Sequence, residues 1–256
     1  MRLALLHLDL SGGPEDVNLA VLRRAIGLAA EHGANWVVTP ETAVQGYFFA
    51  EKGGLPRVPS QPDHYLQAVG QLVVRYGLTL FLGCAEQDPQ TGNYYNCCLV
   101  IGPDGRLRGR HYKLRSHGTG AEAWATKGDL LEPVSCPGMK AGILICADSW
   151  YVENALVLKD KGAEVIVVPA AWSPGEHGPG DCWERCSQAT GLPVWVCNQT
   201  GNRERLDFSQ ASSAVVEDGS IQFSYSGLQP AVLLFDWDRD RKRAVSKEFA
   251  VVAVDQ

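Results

Sequence analysis

The sequence predicts an α/β fold, either one mixed sheet or two stacked sheets, with helices packed alongside. Three observations carry this. Strand-helix-strand units occur at the start and again in the middle, hairpin signals join several of the strands, and the C-terminal part reads as strands alone. With 45% apolar and 20% charged residues, the 256-residue chain suits a single domain over residues 1–256, although length alone would accommodate two small ones.

Taken in order, Arg2 to Leu10 alternates in part and reads as the first strand. After Ser11-Gly12-Gly13-Pro14, a helix over Glu15 to His32 is expected to bury Val17, Val21, Ala25, Leu28 and Ala29, with Gly33 stopping it. Asn35 to Thr39 is a short buried strand. A second helix fits Asp63 to Tyr76, stopped by Gly77, and the strand Leu78 to Ala85 follows. The turn at Pro89-Gln90-Thr91-Gly92-Asn93 joins that strand to Tyr94–Ile101 as a hairpin, and Pro103-Asp104-Gly105 makes the next turn. His111 to Asp129 has little periodicity and reads as a long functional loop. Strands are then expected at Ala141–Cys146, Val165–Val168 and Val194–Cys197, with helices at Val152–Lys161 and Cys182–Thr190 between them. Three further strands follow around Ala211–Val216, Ile221–Tyr225 and Ala231–Phe235.

A net charge of −6 and a pI near 5.5, with no cluster of Lys and Arg, argue against a nucleic-acid partner. The N-terminal apolar run is too short for a signal peptide, and no run approaches the roughly 20 residues that span a bilayer. A cytoplasmic setting is expected, in which the eight cysteines are reduced thiols. Most buried cysteines are simply small apolar residues, so a reactive one must stand out by its surroundings.

Cys146 does stand out. In open α/β sheets, reactive groups gather just beyond the carboxyl ends of strands. Val37-Val38-Thr39-Pro40-Glu41 places a carboxylate there, and Gly142-Ile143-Leu144-Ile145-Cys146-Ala147-Asp148 places a thiol there, ahead of an expected helix N-terminus that favours negative charge. Other constellations are weaker. For a Cys-His pair, His7 lies within a strand and His111 and His117 merely flank the long loop. For a metal site, Cys182 and Cys186 with His177 lack a second ligand pair, and packing on one helix face explains the two cysteines.

Three segments in order resemble the nitrilase superfamily of carbon–nitrogen hydrolases. Pro40-Glu41 resembles its general-base segment, His111-Tyr112-Lys113-Leu114 its lysine segment, and Ile145-Cys146-Ala147-Asp148 its nucleophile segment. Val167 to Trp172, Asn198 with Gly201, and Ser212 or Ser213 ahead of Val215 add to the likeness, which runs from about Arg2 to Phe235. The resemblance implies a four-layer αββα sandwich. It also implies a homodimer or higher homo-oligomer paired across the helix after the nucleophile, and a second active-site glutamate at Glu122. The chain departs from the pattern in Leu114-Arg115-Ser116, which lacks a common His. It departs again in Ala147-Asp148-Ser149-Trp150-Tyr151, and it ends without the long tail of some members.

The expected chemistry begins at Cys146, which attacks a small amide. Glu41 moves the thiol proton, Lys113 and the Ala147 N–H hold the oxyanion, and Glu122 positions water or substrate. No metal or organic cofactor is needed. Tyr47 and Trp172 are the expected acyl-pocket residues. By resemblance, x-Asp after the nucleophile favours the amidase and carbamoylase branches. An N-carbamoyl hydrolase, a nitrilase and an acyl transfer to a group other than water are the enzyme alternatives. A catalytically silent binding subunit on the same fold is the alternative of another class.

Overall fold

The structure, a computed structural model, describes residues 1–116, 120–201 and 206–255. Among these, the strands are β1 (Arg2–His7), β2 (Trp36–Val38), β3 (Thr79–Gln87), β4 (Tyr94–Ile101), β5 (Leu107–Tyr112), β6 (Val134–Cys136) and β7 (Met139–Ile143). They continue with β8 (Val165–Ala170), β9 (Val194–Asn198), β10 (Ser212–Glu217), β11 (Ser220–Ser226), β12 (Ala231–Asp238), β13 (Arg243–Ala244) and β14 (Ala250–Ala253). The helices are α1 (Glu15–Glu31), α2 (His64–Tyr76), α3 (Val152–Asp160) and α4 (Cys182–Thr190). No helix among the described residues is long and apolar enough to cross a membrane.

Two sheets result. The first runs β13-β12-β1-β2-β3-β4-β5, with β14 also paired to β12, and the second runs β11-β10-β9-β8-β7-β6. Each has a parallel centre, β1-β2-β3 in one and β7-β8-β9 in the other, flanked by antiparallel neighbours. Period-2 alternation assigns the layers. Leu3, Leu5, Trp36, Val38 and Phe81 point into the core shared with Val165, Val167, Trp195 and Val215 of the second sheet. Their neighbours Ala4, Leu6, Val37, Leu80 and Leu82 point the other way, against Leu22 and Ile26 of α1 and Val69 and Val73 of α2. With α3 and α4 on the second sheet, the order of layers is αββα, as the resemblance implies. Strands covered on both faces need no polar face, which is why they read as nearly continuous apolar runs.

Some expectations are corrected. Helix α1 buries Asn18, Leu19, Leu22, Ala25, Ile26 and Ala29, whereas Val17 is exposed. The buried stripe lies one residue round from the expected one because Asn18 also belongs to it, donating to the Leu10 and Val44 carbonyls. The segment from His111 begins inside β5 and contains a 3-10 turn at Gly120–Glu122. Strands β5, β6, β13 and β14 lie outside the expected set; the last three are short, and among the described residues β13 and β14 pair only with β12.

Candidate active site

Glu41, Lys113 and Cys146 each lie one to three residues past the carboxyl end of a strand, β2, β5 and β7 respectively. Lys113 is held in place by its main chain, its N–H donating to the Asn96 carbonyl at 2.8 Å and its carbonyl accepting from Gly128 at 2.8 Å. Its ammonium, with no exposed side-chain surface, donates to Glu41 Oε1 and to Glu122 Oε1 at 2.6 Å each. Asn96 Nδ2 donates to the same Glu41 oxygen at 2.7 Å, and the Ala171 N–H donates to Oε2 at 3.0 Å. The Tyr47 hydroxyl donates to Glu122 Oε1 at 2.9 Å. The thiol of Cys146 lies 4.0 Å from the Ala171 carbonyl.

All four of Glu41, Lys113, Glu122 and Cys146 are buried, and low dielectric sets their protonation. Burial raises the Glu41 carboxyl to about 7, against the opposing pull of the Lys113 ammonium and with a further push from Glu122. Burial also raises the Cys146 thiol well above the usual range; Glu41 adds to the rise and Lys113 opposes it. Burial alone would lower Lys113, but Glu41, Cys146 and Glu122 outweigh it and hold the ammonium well above its ordinary value. The resting site therefore holds a neutral thiol beside a carboxyl that exchanges its proton near neutral pH. This suits proton transfer during attack better than a standing thiolate.

The expected α-helix N-terminus at Cys146 is not found. Cys146 opens a 3-10 turn, Cys146–Trp150, and α3 starts only at Val152. Its φ of 50° lies in the left-handed region, a conformation that costs an L residue about 1–3 kcal/mol, persists only where the surrounding structure over-determines it and clusters at active sites. Of the pocket residues, Tyr47 joins the site through Glu122. Trp172 directly follows Ala171, whose N–H bonds Glu41, and its own main chain is held by Asn198: Oδ1 accepts from the Trp172 N–H and Nδ2 donates to its carbonyl. The Trp172 ring instead packs between Trp150 and Trp183.

His111 donates or accepts at Asp148 and not at the thiol, and His7 bonds Ser213; His117 lies outside the described residues. The Cys182 and Cys186 sulfurs both lie against Ser149 in the core, whereas His177 is exposed. Sequence reasoning missed Asn96, Gly83 and Ala171. A Cβ on Gly83 would lie 2.1 Å from the Pro40 carbonyl and 3.1 Å from Glu41 Cα, so the chain carrying Glu41 passes over a bare backbone. A glycine inside an apolar strand was the available signal for that close approach.

The model of the carbon-nitrogen hydrolase family matches residues 9–247. Among curated proteins, the omega-amidase NIT2 of Mus musculus is 25% identical, the alignment covering 98% of this chain and 93% of that protein. The citrullinase of Francisella tularensis subsp. tularensis is 28% identical over 76% of this chain and 73% of its own length. Among solved structures, an amidase from Nesterenkonia sp. superposes with a TM-score of 0.80 at 22% identity, covering 95% of this chain and 93% of that one. A variant of the Nesterenkonia sp. AN1 amidase, which carries the acetamide moiety of fluoroacetamide added covalently at its active-site cysteine, superposes with a TM-score of 0.81. It is 22% identical, over 94% of this chain and 92% of that one.

Proposed function

The chain belongs to the carbon–nitrogen hydrolase family, and from that premise we propose that it hydrolyses the C–N bond of a small amide through a Cys146 thioester. One observation carries the reading: a buried ammonium, Lys113, is clasped by two buried carboxylates beside a buried thiol. A solvated ion pair has no reason to be sealed this way, because burying charges costs more than surface pairing returns.

In the proposed sequence Glu41 takes the Cys146 proton as sulfur attacks the carbonyl. The oxyanion is held by Lys113 and the Ala147 N–H, and Glu41 returns the proton to the departing nitrogen, so that ammonia or an amine leaves. Water, deprotonated by Glu41, then cleaves the thioester to the carboxylic acid. Glu122 Oε2 is buried with no hydrogen-bond partner among the described residues, while its other oxygen is held by Lys113 and Tyr47. An acceptor left open in this way suits the N–H of an amide or the attacking water; a nitrile offers it no proton. That favours amide over nitrile, and the same acceptor keeps an N-carbamoyl substrate as the second reading. Tyr47 and the Trp172 segment are proposed to border the acyl group.

The reading also takes the protein as cytoplasmic, where its thiols stay reduced. It is further taken to form a homodimer or larger homo-oligomer over α3, which exposes Leu156 and Val157. Ammonia release from matched amides, carbamoyl amino acids and nitriles tests the chemistry, with Cys146→Ala as the control. The expected result is turnover of amides, lost in the variant. A higher kcat/KM for the nitrile of a matched pair, or activity retained without Cys146, overturns it.

A further inference from the structure

We infer that Asp148 is a positioning residue whose carboxylate sets the spacing between Lys113 and Cys146 across the seam between the two sheets. The inference rests on the proposed Cys146 chemistry. Lys113 extends from β5 of the first sheet and Cys146 from β7 of the second, so no ladder of backbone bonds holds these two groups in register. Asp148, with no exposed surface, bridges them. Its Oδ1 accepts the N–H groups of Leu114 and Arg115, both at 2.9 Å, immediately after Lys113. Its Oδ2 accepts the Ile145 N–H at 3.1 Å, immediately before Cys146, and contacts His111 Nε2 at 2.9 Å, two residues before Lys113. Each oxygen thus serves two partners, and only a carboxylate supplies that many acceptor sites in this space.

The arrangement acts on both partners at once. On one side the two N–H groups bend the chain off the end of β5 directly past Lys113, whose own N–H and carbonyl are already fixed by Asn96 and Gly128. On the other side the Ile145 bond closes the 3-10 turn in which Cys146 adopts its left-handed conformation. The turn is further tied down by Asn154 Nδ2, which donates to the Asp148 carbonyl at 2.8 Å. Among the described residues His111 supplies the one side-chain partner of the carboxylate, and so offers a way to weaken the clamp by a single contact. Nothing in the clamp touches the site of attack; it works through main-chain position.

Asp148→Asn, His111→Gln and His111→Phe test this, with kcat and KM for ammonia release, the rate of iodoacetamide alkylation at Cys146 and the melting temperature measured for each. Asparagine keeps the shape but turns an NH2 group toward two donors. Glutamine can keep a donor within reach of Asp148, and phenylalanine cannot. We expect Asp148→Asn to lower kcat by roughly tenfold or more with KM little changed, as a displacement on the order of 1 Å between reacting groups does. His111→Phe should lower kcat and slow alkylation of Cys146, and His111→Gln should restore most of both. Equal behaviour of the two His111 variants, or rates that fall only as the folded fraction falls, overturns the inference. Alkylation is read without turnover of any substrate, so the comparison stands even if the proposed substrate class fails, whereas an amide-silent parent protein counts against that class alone.

Discussion

At Glu41 the balance of burial against charge decides when the proton can move. A general base acts only when deprotonated, and burial has raised this carboxyl to about 7. The rate should therefore rise with pH through neutrality and then level, since Lys113 remains charged and the Cys146 thiol remains neutral over that range. Measured from about pH 5.5 to about 8.5, kcat/KM should show a single ascending limb; a flat profile would remove Glu41 from the role of base. Gly83 is the second residue-scale test. Its missing Cβ lets the Pro40-Glu41 chain pass, and Gly83→Ala should displace Glu41 and destabilise the fold by about 1–3 kcal/mol. Denaturation and ammonia release on the same preparation check both effects, and the loss of rate should exceed the loss of folded protein. Glu41 and Cys146 were legible because each follows an expected strand, and Lys113 because its segment, His111-Tyr112-Lys113-Leu114, resembles a family motif. Asn96 and Ala171 were not, since an asparagine inside β4 and an alanine after β8 carry no local mark of the carboxylate they hold.

Helix and strand identity followed from local signals that the structure bears out. Asp63 precedes α2 and accepts the Leu66 N–H at 2.8 Å, and Gly77 closes the helix in the left-handed region with φ 65°. Asp63→Ala should cost about 0.5–2 kcal/mol of stability and leave kcat unchanged, because α2 lies on the outer face of the first sheet, away from Cys146. Urea denaturation beside an activity assay checks this, and a lowered kcat would show that α2 reaches the site. Where a tertiary bond competed with periodicity, local reading failed. Asn18 is polar by sequence, yet its amide is consumed by the Leu10 and Val44 carbonyls, and the buried face of α1 turns to include it. The turn at Cys146 is the same kind of case, since Asp148 and not a helix closes it.

Across the whole molecule, the site depends on how two sheets meet. Trp195, fully buried in the second sheet, packs edge-on to Trp36 of the first at 6.1 Å, and to Phe235 and Trp237 at 5.6 and 5.1 Å. Polar bonds cross the same seam, from Cys197 Sγ to the Val38 carbonyl at 3.1 Å and from the Thr200 N–H to the Leu8 carbonyl at 3.0 Å. Trp195→Ala should remove about 3–5 kcal/mol, a large share of the roughly 5–15 kcal/mol by which such proteins are stable. Trp195→Phe should cost less, because a ring still fills the seam. Thermal melts of the two variants decide this, and equal melting temperatures would place the stability of the seam elsewhere.

The sequence by itself determined the four helices and most of the strands in their order, the apolar runs that become doubly covered sheets, and the three segments that carry Glu41, Lys113 and Cys146. These are local matters of periodicity, turn residues, placement after a strand and, for Lys113, resemblance of a short motif, and they need no knowledge of distant neighbours. Only the tertiary structure decided that Glu41 and Glu122 share one ammonium, that Asp148 joins the two segments at the seam, and that the thiol rests neutral. The physical reason is that hydrogen bonding and desolvation act through space. Ala171 and Glu41 are separated by 130 positions in the chain yet lie 3.0 Å apart, N to Oε2, and no local pattern encodes that contact.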